Sequence, residues 1–415
     1  MNDSKQKTIL FSPATYNLAE TTRCIEVAKA CAGSFETLFM SYGGEFEELI
    51  ARNGFRLIQM EPRLTPEKIE HMYRIDQGRK FGHMFSVPEI EKQVENEIAL
   101  FKEIKPAAVV TGFVFSNCVS CRAAKIPLVW LTQSTWMFDS YFKAGLGTYI
   151  DMVDLPGLRL LGERFLTWLS KKTLALVGGF VVKPYNAVAR KYGIHTFDDM
   201  EQLWRGDYNL LAEPEGFCEL DFPPSFRFIG PLPGRLDAPV PREIMDMPRD
   251  RPIVYFAMGS SGQAEVIAKI LEDFGKTPYR VIAPVKSKLK NIAVKIPENV
   301  VVTGWLPALK VNSMADISVI HGGIGTVMTA ALAGKPVVGV GMQPEQEFNI
   351  DCLARKGFAI RIRKNRLTFD ALSKSIAALL SDKTARQKAK DYQKIVEQWN
   401  NPLLITRFFE ETFGH

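Results

Sequence analysis

Residues 316–336 constrain this chain most tightly. An apolar run rich in β-branched residues, Ile317 to Ile320, leads into His321-Gly322-Gly323-Ile324-Gly325-Thr326. The run suits a buried parallel strand. The glycines let the backbone turn sharply and leave room for close approach of a ligand. Val327 to Ala333 then reads as a helix, closed by Gly334 and Pro336. A glycine-rich turn feeding a helix start presents unpaired N–H groups and the positive end of the helix dipole, which suits phosphate. His321 at the strand's carboxyl end adds a side-chain donor there. No Gly-Lys-Ser/Thr follows, so this is not a Walker loop, and the spacing is not Gly-x-Gly-x-x-Gly.

The flanks narrow the reading. Upstream stands Thr303-Gly304-Trp305-Leu306-Pro307, and downstream Gly341-Met342-Gln343-Pro344-Glu345-Gln346-Glu347-Phe348-Asn349. In this order the segments resemble the donor-binding half of family 1 nucleotide-sugar glycosyltransferases, nearest to bacterial enzymes of the macrolide and glycopeptide antibiotic type. The likeness covers the C-terminal half well and the N-terminal half loosely. It implies the GT-B fold, an α/β architecture of two doubly wound Rossmann-like domains facing across a cleft.

The strand–helix rhythm points the same way. At 415 residues the chain suits two domains. Strands expected at 8–12, 35–40, 55–60, 107–111 and 128–131 alternate with helices at 20–31, 45–53 and 117–125, and a second series runs from 253 to 360. We expect an N-terminal acceptor-binding domain over 1–230 and a proline- and charge-rich linker over 231–250. A donor-binding domain over 251–400 and a C-terminal helix over 401–415 crossing back to the first domain complete the expectation. The cleft lies where both sheets' carboxyl ends face one another.

The resemblance assigns roles residue by residue. Trp305 stacks the nucleotide base, an indole face suiting a pyrimidine, and the backbone at Leu306 bonds it. His321, Gly323, Gly325 and Thr326 form the diphosphate cradle, and the turn at Ser260 and Ser261 is a second small-residue contact to it. Thr329 stands where many members place a Glu that grips the ribose, so only a shorter, neutral hydrogen bond is available. Glu345 and Gln346 match the pair that reads the donor sugar's hydroxyls.

The acceptor side departs from the pattern. Many members carry a His near the start of the first helix, steered by an Asp after a later strand. Here Glu20 takes the first position and Gly112 the second. Glu20 is the expected base, and its competing role is stabilisation of the helix start. Trp130, Trp136, Met137, Phe138, Tyr141 and Phe142 could line an acceptor pocket or fill a core.

The resulting expectation is an inverting glycosyltransferase with no obligatory cofactor or metal. It would take a UDP-sugar first and a TDP-sugar second, and pass the sugar to a small lipophilic or aromatic acceptor hydroxyl. The alternatives are a catalytically silent nucleotide-binding homologue and a GT-B epimerase acting on the nucleotide sugar. A net charge of +6 without basic runs gives no sign of nucleic-acid binding. The lone Cys118-x-x-Cys121 lacks a second ligand pair for zinc and reads as core. Scattered cysteines and a polar N-terminus fit the cytoplasm. The apolar, lysine-containing segment 158–192 is read as a helical excursion in preference to a membrane-surface helix.

Overall fold

The computed structural model describes residues 6–234, 238–258, 263–290 and 292–414. The first sheet holds β1 (Thr8–Pro13), β2 (Glu36–Ser41), β3 (Arg56–Gln59), β4 (Ala108–Gly112), β5 (Leu128–Thr132), β6 (Tyr208–Leu211) and β7 (Phe226–Phe228), in the order β3-β2-β1-β4-β5-β6-β7. The second holds β8 (Ile253–Ala257), β9 (Arg280–Ala283), β10 (Val300–Val302), β11 (Ile317–Ile320), β12 (Val337–Gly339) and β13 (Ala359–Arg361), in the order β10-β9-β8-β11-β12-β13. Their strand pairs run parallel, as strands buried on both faces require. In each sheet the order reverses beside the first strand, at β1/β4 and at β8/β11. Those reversals open crevices outside the strands' carboxyl ends.

β6 and β7 are short and were not apparent from the sequence. Tyr208–Leu211 has only four residues, too few for a period to register. Within 231–250 the described residues include one short helix, Arg242–Met245.

Six helices bear on the site: α1 (Leu18–Cys31), α2 (Pro66–Asp76), α3 (Gly162–Val181), α4 (Ile324–Leu332), α5 (Pro344–Arg355) and α6 (Leu403–Phe413). α6 returns to the first sheet. Its Phe408 and Phe409 pack in one core with Ile9, Phe11 and Phe39. The Thr406 hydroxyl donates to the Ala30 carbonyl of α1 at 2.8 Å.

The two sheets are joined by buried charge as well as by apolar contact. Asp151, fully buried, accepts from the guanidinium groups of Arg361 at 2.8 Å and Arg363 at 2.9 Å and from the Lys364 amide at 2.6 Å. Glu347 pairs with the same Arg361. Tyr141 stacks on Phe348 with centroids 4.5 Å apart. Buried ion pairs return little net stability after desolvation, but breaking one strands its partner, so they fix geometry. Among the described residues no single helix is long and apolar enough to cross a membrane.

Candidate functional site

The turn after β11 builds the donor end. Gly322 has φ +86°, a left-handed conformation that glycine adopts freely. A Cβ there would also strike the Gln346 carbonyl at 2.5 Å. A Cβ at Gly323 would lie 2.7 Å from Nε2 of His321, so the imidazole edge rests directly over the helix start. At Gly325 a Cβ would meet nothing within 4 Å, which marks open space before α4. The Thr326 amide and hydroxyl and the Val327 amide bond to the Gly323 carbonyl. The amides of Ile324 and Gly325 precede these and have no earlier carbonyl within the helix.

His321 sits with Nδ1 3.4 Å from the Ala257 carbonyl. Donation along that contact puts the proton on Nδ1 and turns the Nε2 lone pair toward Gly323. Burial pushes the imidazole down to about 4, with Lys288 adding to the effect and the Ala257 contact opposing it. The ring is therefore neutral at pH 7. Lys288 brings a positive charge to the same corner, and the sequence reading had not singled it out.

Thr329 is buried, and its hydroxyl donates to the Gly325 carbonyl at 2.7 Å. Its proton is committed to its own helix, so only its lone pairs remain for a ribose hydroxyl. Ser260 and Ser261 lie outside the described residues. Leu306 is buried, whereas Trp305 keeps 58% of its surface exposed. The indole is no core residue: among the described residues its one ring contact is an edge against Phe46 of the first domain, centroids 6.0 Å apart.

α5 begins beside this turn. Gln346 accepts from the Met342 amide at 3.1 Å and donates to Gln343 at 2.6 Å. Gln343 in turn donates across the cleft to Asp76 at the end of α2, reaching the carboxylate at 2.7 Å and the main-chain carbonyl at 3.0 Å. Burial pushes the Glu345 carboxyl up to about 8, and the charge of Asp76 adds to it. Asp76 itself is open to cleft water, yet protein from both domains crowds it. That crowding moves its carboxyl up to about 6 against the pull of Gln343.

A small apolar pocket of about 20 Å³ lies at the carboxyl ends of β1, β2 and β4. Its walls include Tyr16, Leu64, Met72, Phe85, Phe113 and Phe115. Phe113 has φ +66°. A bulky residue held left-handed stores strain of roughly 1–3 kcal/mol, a condition that clusters at ligand sites. Met72 precedes Asp76 by one turn of α2, so the two share a face; the methionine lines the pocket, and Asp76 is not among its walls.

Glu20 has a different setting. It is 3% exposed and pairs with Arg23 at 2.6 Å. Burial raises its pKa and Arg23 opposes the rise. Among the described residues its second oxygen has no hydrogen-bond partner, and it lies where a Cβ on Gly112 would come within 2.8 Å. Gly112 thus makes room for Glu20, and the carboxylate is not among the pocket's walls. The aromatic cluster at 130–142 is core: Trp130, Met137 and Tyr141 are fully buried, Trp136 and Phe138 nearly so, and Phe142 is partly buried against them. It pins the domains together, whereas the pocket draws on Phe113 and Phe115 of the β4 loop, which carry no periodic signal. Cys118 and Cys121 are buried, free thiols.

Comparison with known proteins agrees with this fold. The model of the erythromycin biosynthesis protein CIII-like C-terminal domain matches residues 268–402. A PGL/p-HBAD biosynthesis glycosyltransferase of Mycobacterium tuberculosis is 26% identical over 392 residues, covering 93% of this chain and 88% of the relative. Among solved structures, spinosyn forosaminyltransferase SpnP superposes with a TM-score of 0.70 at 17% identity, covering 99% of this chain and 100% of the other. Glycosyltransferase VinC, solved in complex with dTDP, gives 0.67 at 16% identity, covering 98% of each. With two doubly wound sheets across a cleft, this domain match and a relative of that activity along nearly its whole length, the chain is a glycosyltransferase of the GT-B fold.

Proposed function

We propose that the protein moves a sugar, with inversion, from a nucleoside diphosphate donor to a hydroxyl of a small lipophilic acceptor. UDP-sugar is the first donor to test and TDP-sugar the second. One observation carries this reading: Gln343, at the start of the helix that adjoins the glycine turn, donates to Asp76 of α2, whose Met72 is a wall of the apolar pocket. In this reading the exposed face of Trp305 takes the base, and the amides of Ile324 and Gly325 take the diphosphate. Charge that develops on the leaving phosphate meets donors already in place, which is where electrostatic catalysis gains most. A dianion beside neutral His321 draws a proton onto Nε2, turning an acceptor into a donor. Glu345 and Gln346 hold the sugar between phosphate and pocket.

The acceptor's proton needs a carboxylate. Glu20, expected from the sequence, is buried, holds Arg23 through one oxygen and is not among the pocket's walls. Asp76 is exposed in the cleft, accepts from Gln343 of the other domain and has its carboxyl moved up to about 6, toward the range a general base needs.

The test is nucleoside diphosphate release from UDP- and TDP-sugars with and without a panel of phenols and lipophilic alcohols, with products weighed by mass spectrometry. Acceptor-dependent release with a glycosylated product supports the proposal. Donor binding with no turnover supports a silent homologue, and an altered donor sugar without acceptor supports an epimerase.

A further inference from the structure

α3 is apolar on two opposite faces. Leu166, Ser170, Leu174 and Gly178 recur every fourth residue and are buried against the protein. On the other side Leu161, Phe165, Trp168, Lys172 and Leu176 recur at three- and four-residue spacing. Trp168 is 54% exposed and Leu176 76% exposed, and Leu160 just before the helix is 89% exposed. Half of the large apolar side chains that the described residues leave exposed fall between Met152 and Val177. A solvated helix in a soluble domain needs one apolar stripe, so the second stripe calls for an occupant.

Charge identifies the occupant. α3 carries Arg164, Lys171 and Lys172 against the single acid Glu163, and exposed Lys183 follows it. Of the acids near this helix, Asp139 is paired with Lys143 and Lys171, Glu201 with Arg205, and Asp199 accepts from the Gln202 amide, which leaves Arg164, Lys172 and Lys183 as the basic groups toward solvent. Aliphatic and indole groups interleaved with basic ones fit the boundary of an anionic bilayer. The inner stripe stays buried in the protein, so the helix would lie along that surface and not cross it.

We infer that the outer face of α3, with Leu160 and Leu161 at its start, docks on an anionic lipid bilayer. The patch also leads toward the acceptor pocket. Phe180 of α3 stacks on Phe81 at 4.6 Å and on His83 at 4.1 Å, and Phe85 of that same segment is a pocket wall. A docked enzyme would take a lipophilic acceptor from the bilayer. The docking itself goes beyond the transfer reading and stands without it, because vesicle binding is measured with no donor present.

The experiment is flotation of the full chain with phosphatidylcholine vesicles, with and without one-third phosphatidylglycerol. The expected result is an apparent partition coefficient at least about tenfold higher on the anionic vesicles, falling as salt is raised. The double variant Leu160→Glu/Leu176→Glu, at two exposed positions, should lose binding while keeping its circular dichroism. A charge variant, Arg164→Gln/Lys171→Gln/Lys172→Gln, should bind both vesicle types alike. Failure of the native chain to float with either vesicle overturns the inference, as does undiminished flotation of the Leu160/Leu176 variant. So does light scattering that shows a dimer abolished by that variant, which would assign the stripe to a second copy of the chain.

Discussion

The Asn349 side-chain amide donates to the Gly322 carbonyl at 2.9 Å, and its oxygen accepts from the Thr135 hydroxyl at 2.8 Å. One fully buried residue of α5 thereby ties the glycine turn after β11 to the first domain. Asn349→Ala leaves that carbonyl and hydroxyl buried without partners, so we expect a stability loss of about 1–3 kcal/mol in urea unfolding. Donor affinity should fall with it, because the turn loses its fixed position. A variant with native stability and native donor affinity would show the tie to be unimportant.

Trp305→Ala separates a core tryptophan from a base platform. The indole is mostly exposed, so folding stability should change by no more than about 0.5 kcal/mol. Loss of a stacked base costs about 1–3 kcal/mol, so nucleoside diphosphate affinity by calorimetry should fall roughly tenfold or more. The reverse pattern would return Trp305 to a packing role.

Asp76→Asn and Glu20→Gln form a pair. Asn at 76 can still accept from Gln343, so the cross-cleft bond survives while the base is lost. We expect kcat to drop by roughly a hundredfold or more for Asp76→Asn, the usual worth of a general base, with donor affinity unchanged. Glu20→Gln should cost less, since in this state its carboxylate serves Arg23. A larger loss for Glu20→Gln would restore the base to α1.

Glu345 gives a pH signature. Its folded carboxyl titrates near 8, above its unfolded range near 4.5. The folded state therefore holds the extra proton between those values. The stability this supplies is complete below about 4.5 and is lost as pH rises toward 8. Glu345→Gln should flatten that part of the stability–pH curve, measured as the native-minus-variant difference in urea midpoints. A difference that does not change between pH 5 and 8 would show that Glu345 is ionised throughout.

The donor end was legible because it is local. Strand, glycine turn and helix occupy consecutive residues, and β8 and β11 have the bounds expected from the sequence. α4 starts at Ile324, a turn before the expected helix, because Gly323 serves as its cap. The contact across the cleft was not legible. Asp76 meets Gln343 across 267 positions, and no local pattern marks the last residue of an amphipathic helix as a partner for the other domain. Trp130 and Tyr141 drew attention as large aromatics, yet size favours burial as much as binding. The Glu20–Arg23 pair was accessible in principle, since residues three apart share a helix face.

α6 sets a schedule for making this protein. Its aromatic residues complete the core around Ile9 and Phe39, although Ser34 and its partner Glu410 stand 376 positions apart. During synthesis the first sheet must wait, with one side of its helical layer bare, until nearly every later residue has left the ribosome. The second domain, made of consecutive strands and helices, can close first and hold the returning segment in reach.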